Sequence, residues 1–117
     1  MIHQSDQPIR KYDIWLADLP AVPESHVQSG VRPVVVVSND VANAHSPIIS
    51  IVPLTTNLSR VDMPTHTVLH SRFLRCPSEQ IMTIDKSWLL NRMGALECVH
   101  ERLAVRHCVQ IQLDLAA

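Results

Sequence analysis

Two runs of β-branched residues, 34–37 (Val-Val-Val-Val) and 48–52 (Ile-Ile-Ser-Ile-Val), bracket a short polar segment and leave this chain few ways to fold. Such side chains are stiff at χ1 and pack well on a pleated surface, so each run reads as a buried strand. The break between them holds Ser38, Asn39, Asp40, Asn43, His45 and Ser46, and reads as a structured turn that the first three of these cap and close. Arg32 stands just before the first run, and Thr55 and Thr56 just after the second. If the strands run antiparallel, the start of one lies beside the end of the other. Arg32 and Thr55 are therefore expected to meet at one rim of the sheet, and that rim is the predicted active site.

The rest of the chain supplies a small sheet around this hairpin. Residues 1–10 are polar, contain Pro8 and read as a loose arm; residues 11–117 read as a single domain. Residues 12–19 are predicted as a first strand with Trp15 in the core, followed by a loop over 20–30 punctuated by Pro20, Pro23, Ser25 and Gly30. Residues 65–70 read as a strand carrying His66 and His70, 72–77 as a connection, 78–84 as a strand leading to an Asp85–Lys86 ion pair, and 88–94 as a short last strand. Over 96–115, Ala104, Cys108, Ile111 and Leu115 recur at helical spacing with Val99 and Leu103 on an adjoining face, which predicts a terminal helix.

Charge and cysteine usage narrow the function. The chain has 117 residues, 10 Lys and Arg against 11 Asp and Glu, so any nucleic-acid site must come from a few placed arginines rather than a basic field. Its 3 cysteines, Cys76, Cys98 and Cys108, show no paired spacing and suit reduced thiols in the cytoplasm. No basic and apolar leader opens the sequence and no apolar run reaches membrane-spanning length, so neither secretion nor membrane insertion is expected. Two histidines without a third ligand do not make a metal site, and none is expected.

Three ordered blocks carry a family resemblance: Gln28-x-Gly30-x-Arg32-Pro33 running into Val-Val-Val-Ser-Asn-Asp, then Val52-Pro53-Leu54-Thr55-Thr56, then Glu79-Gln80-Ile81-Met82-Thr83-Ile84-Asp85-Lys86. Over roughly residues 11–115 the chain resembles the MazF/PemK toxin endoribonucleases of type II toxin-antitoxin systems. The resemblance implies a mainly β fold, a small SH3-like barrel of the CcdB/PemK type with a C-terminal helix. It also implies a cytoplasmic homodimer that binds a cognate antitoxin and cuts single-stranded RNA without a cofactor. Two positions depart from the family pattern: Val27 stands where a glutamate usually precedes the glutamine, and Met82 where an arginine is common.

RNA carries its own nucleophile. Attack of the ribose 2′-hydroxyl on the neighbouring phosphate gives a cyclic phosphate and a free 5′-hydroxyl, and asks of a protein only alignment, movement of two protons and stabilisation of the phosphorane. Arg32 offers a planar, permanently charged donor fork for phosphate, and Thr55 a hydroxyl that can donate to a phosphate oxygen or orient the ribose. Both match catalytic positions of the family. The resemblance leaves two candidates for the general base, Glu79 and His26, whose plainer roles are a strand-end ion pair and an exposed loop histidine. Gln28, Gly30, Thr56 and Gln80 match RNA-contacting positions. A gyrase-binding toxin like CcdB, or a catalytically degenerate member that binds RNA or antitoxin, is the alternative; the chain lacks the Trp-Gly-Ile ending of the gyrase poisons.

Overall fold

In the computed structural model, which describes residues 7–58 and 63–115, the two apolar runs form the centre of the sheet. Strand β1 (Asp13–Leu19) pairs antiparallel with β2 (Gly30–Val36), which pairs antiparallel with β3 (Ile48–Pro53). The polar break is more than a turn: it folds into a short helix, α1 (Asp40–His45). Asn39 caps it, its side-chain oxygen accepting from the Ala42 N–H at 2.9 Å, a contact of the kind that contributes about 1 kcal/mol. The buried Asn43 ties the helix back to the strand end by donating to the Ser38 carbonyl at 2.8 Å.

Beyond β3 the chain forms a separate hairpin, β4 (His66–Leu69) with β5 (Leu74–Pro77), then β6 (Met82–Asp85), β7 (Leu89–Ala95) and the helix α2 (Val99–Leu113). The main sheet has the order β6-β3-β2-β1-β7. A reciprocal backbone bridge between Thr55 and Arg75 joins the β4–β5 hairpin to it, so the strands wrap as a small, incompletely closed barrel. The fold is thus mainly β with one C-terminal helix, as expected.

Alternation along the central strands sorts side chains onto two cores. Val34, Val36, Ile49 and Ile51 join Trp15, Ala17, Leu19 and Ile84 in one; Val35, Val52 and Leu54 join Leu69, Leu74, Cys76 and Val105 in the other. Ile9 is buried in the first core, so the expected N-terminal arm packs at its inner end; residues 1–6 lie outside the described part.

Several boundaries differ from expectation for identifiable reasons. Residues 72–77 are not a mere connection, since Leu74 and Cys76 enter the core as strand β5. Residues 78–84 do not run as one strand: Ser78–Gln80 makes a 3₁₀ turn before β6 starts at Met82. Asp85 does not close an ion pair with Lys86 but caps the following 3₁₀ turn, Lys86–Trp88, by accepting from the Ser87 N–H at 2.8 Å. Helix α2 starts at Val99 rather than Leu96 and turns Val105 and Cys108 inward, leaving Leu103, Ile111 and Leu115 exposed. Val105 joins Leu69, Leu74 and Cys76 of the β4–β5 hairpin in the second core.

Candidate active site

The β2–β3 ladder places Arg32 and Thr55. Val34 lies opposite Pro53, and the pairing continues one step with the Leu54 N–H donating to the Pro33 carbonyl at 2.9 Å. One further step of the same register sets Arg32 opposite Thr55, and directly opposed residues of antiparallel strands share a face. Arg32 is half-buried, with its Nε donating to the Ser29 carbonyl at 2.9 Å. This bond folds the stem back over the start of β2 and leaves the four Nη hydrogens of the fork for an acceptor. The Thr55 hydroxyl accepts from the Asn57 N–H at 3.3 Å, which leaves its own hydrogen available to donate. Thr56, next in the chain, is exposed.

A side-chain amide brings the β1–β2 loop to this rim. Gln80 presents its Oε1 to the Gln28 N–H and its Nε2 to the His26 carbonyl, both at 3.1 Å. The loop then enters β2 at Gly30, whose φ of +81° is a conformation L side chains rarely adopt. Gln28, Gly30, Gln80 and the backbone of His26 are therefore drawn together beside Arg32. Gln80 meets the loop with both ends of its amide, and the His26 side chain lies on an exposed segment.

Glu79, one residue earlier on the 3₁₀ turn, faces other partners. Its Oε1 accepts from the Thr65 hydroxyl at 2.8 Å, and its Oε2 lies 2.5 Å from Nε2 of the buried His66. Partial burial acts to raise the carboxyl pKa, but the hydrogen bonds from His66, from Glu79's own backbone N–H and from Thr65 together outweigh it, and the pKa lies below the ordinary value. Beneath this pair the Cys76 thiol is pushed up to about 12 by burial, with the Glu79 charge adding to the effect. His66 is thus a satisfied interior histidine, whereas His70 is exposed.

Two neighbours of the site escape a reading of the sequence. His66 is joined to Glu79 only by the folding of the β4–β5 hairpin. Arg75 is joined to Thr55 by two backbone bonds, of 2.8 and 3.0 Å, in a segment that reads as a connection; the apolar alternation of Leu74 and Cys76 around it was the available signal. Met82 packs against the first core, which accounts for an apolar residue where an arginine is common among relatives. Among the described residues, no group of three or more His, Cys, Asp or Glu stands together as metal ligands, and no helix is long and apolar enough to cross a membrane.

Known proteins share both the sequence pattern and the fold. An Endoribonuclease MazF from Staphylococcus epidermidis is 33% identical over 113 residues, spanning 92% of this chain and 92% of its own. A solved endoribonuclease from a mycobacterial species superposes with a TM-score of 0.77 at 19% identity, over 95% of this chain and 96% of that one. A mycobacterial endoribonuclease in complex with its cognate antitoxin gives 0.75 at 19% identity, over 94% and 97%. The family model for the PemK-like, MazF-like toxin of type II toxin-antitoxin systems matches residues 10–112. A match of that extent, together with the Staphylococcus relative, shows that this chain belongs to the PemK-like, MazF-like toxins of type II toxin-antitoxin systems.

Proposed function

We propose that the chain is a sequence-selective endoribonuclease that cuts single-stranded RNA by attack of a ribose 2′-hydroxyl on the adjacent phosphate, leaving a 2′,3′-cyclic phosphate and a 5′-hydroxyl. The observation that carries this reading is the register that sets Arg32 opposite Thr55 on one face of the sheet, supported by the Staphylococcus relative named an endoribonuclease. As the bond from the 2′-oxygen to phosphorus forms and the bond to the 5′-oxygen breaks, negative charge grows on the non-bridging oxygens. The Arg32 fork and the Thr55 hydroxyl donate to those oxygens, so their interaction strengthens toward the transition state. All the chemistry is proton transfer and charge stabilisation, so the mechanism calls for no cofactor and no metal.

Of the two candidate bases, His26 takes the 2′-proton in this scheme, because the Gln80 clamp holds its backbone at the rim, and solvent water delivers a proton to the departing 5′-oxygen. Glu79 is committed to Thr65 and His66 and stabilises the 3₁₀ turn from which Gln80 reaches the loop. Gln28, Gly30, Thr56 and Gln80 shape the groove for unpaired RNA, whose exposed base edges permit selection by sequence. By analogy with the mycobacterial complex, a cognate antitoxin partners this toxin; the active form is a cytoplasmic homodimer, each subunit one domain over residues 11–117 after a short arm.

The test is to incubate the purified protein with a long unstructured RNA and a metal chelator, beside Arg32→Ala and Thr55→Ala, and to map cut sites and end groups. Discrete cuts bearing cyclic phosphate are expected, slowed by roughly a hundredfold or more in each variant, as for removal of a transition-state donor. Intact RNA after treatment with a folded, antitoxin-free sample refutes the reading and favours a protein-binding toxin.

A further inference from the structure

The Arg32–Thr55 pair has a third member in its row. The Arg75 N–H donates to the Thr55 carbonyl at 2.8 Å and the Thr55 N–H to the Arg75 carbonyl at 3.0 Å, the reciprocal exchange of a hydrogen-bonded antiparallel pair. Residues paired in this way project from the same face. The two cores give the same answer independently. On β5, Leu74 and Cys76 enter the second core, so Arg75 between them projects from the opposite face. On β2 and β3, Val34, Val36, Ile49 and Ile51 enter the first core, and Arg32 and Thr55 share their parity. Arg32, Thr55 and Arg75 therefore stand side by side across three adjacent strands, a hydroxyl flanked by two guanidinium-bearing residues. Arg75 is 7% exposed, and among the described residues it is the one Lys or Arg that is buried.

We infer that Arg75 is a second phosphate-binding residue of this site, which holds the RNA backbone against Thr55 while Arg32 acts on the phosphate under attack. The inference rests on the nuclease reading above and adds a residue to it. A guanidinium that is already desolvated and fixed by its strand loses little freedom when a phosphate arrives, and its charge acts at short range through a medium less polar than water. Successive phosphates of one RNA strand present such a row with several acceptors. Two cations about the threonine accommodate a phosphate and its neighbour, so Arg75 contributes chiefly to binding and Arg32 to the chemical step. The two arginines are also complementary in character. Arg32 sits at the end of β2 that follows the β1–β2 loop and is tied to Ser29, whereas Arg75 is anchored inside the β4–β5 hairpin.

The test uses the full chain with two probes, a cleavable single-stranded RNA under chelation and its 2′-O-methyl counterpart, which binds without being cut. Arg75→Gln and Arg75→Met are expected to raise KM and the dissociation constant of the 2′-O-methyl RNA about tenfold, with kcat within about threefold of wild type. The slope of log affinity against log salt is expected to fall by about 0.7, one phosphate contact on a single strand. Arg75→Lys keeps the charge and the slope but loses the fork, and its KM is expected to rise several-fold. Neutral variants that fold, by near-ultraviolet circular dichroism, yet keep the wild-type KM and salt slope overturn the assignment. Should the neutral variants fail to fold, Arg75→Lys carries the test, and an unchanged KM in it overturns the assignment equally. A wild type that leaves the cleavable RNA intact refutes the nuclease reading, while the 2′-O-methyl arm still reads whether Arg75 contacts phosphate.

Discussion

Replacing Gln80 with glutamate tests whether the β1–β2 loop is held for catalysis or merely rests on the barrel. The substitution preserves size and leaves one oxygen to accept from the Gln28 N–H, but it sets a carboxylate oxygen against the His26 carbonyl where Nε2 donated at 3.1 Å. The lost hydrogen bond is worth about 1 kcal/mol and the repulsion of two acceptors about as much again, so loop docking weakens by roughly 2 kcal/mol. Because Arg32 is tied to Ser29 at the end of the same loop, kcat/KM is expected to fall by roughly tenfold to thirtyfold. The loop is exposed and can open locally, so the melting temperature should drop by no more than about 5 °C. Protonation restores a donor to the introduced carboxyl. The activity ratio of variant to wild type should therefore recover as pH falls through about 4.3, the ordinary value for glutamate. Cleavage of a short fluorescent RNA across pH 4 to 8, with melting curves at each point, supplies both readouts. Wild-type kcat/KM at neutral pH refutes the clamp, and so does a loss that never recovers at low pH and tracks a large fall in melting temperature.

Three other outcomes follow from the geometry. Because the Glu79 carboxyl is held below its ordinary pKa in the folded state, it contributes stability that is full above about pH 4.3 and is lost as pH falls from there through the folded value; the urea midpoint should decline along that limb, and Glu79→Gln should flatten part of the decline. Gly94 has a φ of +139° and an added Cβ would collide with the Arg72 side chain, which donates to the Met93 and Ala95 carbonyls around it. Gly94→Ala should therefore strain the backbone and displace the flexible tip of Arg72, costing roughly 1–3 kcal/mol, and lower the melting temperature more than Gly30→Ala, whose Cβ meets open space and whose φ of +81° lies nearer the left-handed helical region; equal losses would sink this account. In the native protein a thiol reagent should modify the exposed Cys98 at once and Cys76, buried with its thiol pushed up to about 12, only on unfolding; rapid labelling of Cys76, read by peptide mass, would contradict the placement of β5.

What was legible in the sequence was whatever depends on alternation and on simple register. The runs at 34–37 and 48–52 could be read as strands because β-branched residues suit no other buried element of that length. Once the structure pairs Val34 with Pro53, extending that ladder by two residues brings Arg32 opposite Thr55, the rim that the sequence nominates as the site. Helix α1 was hidden by its brevity, although Asn39 followed by Asp40 is a capping signal. Of the expected stripe of Ala104, Cys108, Ile111 and Leu115, Cys108 is buried as spacing suggests but Ile111 and Leu115 are exposed and Val105 turns inward instead; that choice depends on the hairpin packed against α2, which local spacing does not record.

The site divides along the same line. The three family blocks nominate candidates from sequence alone, whereas the neighbours contributed by the β4–β5 hairpin are not visible there, because the hairpin's pairing depends on core entry by Leu69, Leu74 and Cys76. Yet this hairpin supports the whole rim. Strand β5 bridges Thr55 through Arg75, Thr65 and His66 at the start of β4 reach Glu79, and the turn bearing Glu79 also sends out the Gln80 clamp. The proposed catalytic pair, Arg32 on β2 and Thr55 just past the end of β3, is thus set by register, while the loop and the third residue of its row are set by how well the hairpin packs. Core substitutions in β5 should accordingly lower activity before they lower global stability, and Cys76→Ala, which removes a buried thiol on the face of β5 opposite Arg75, offers the direct comparison. Activity and melting temperature falling strictly together in that variant would show that the hairpin and the main sheet open as one cooperative unit.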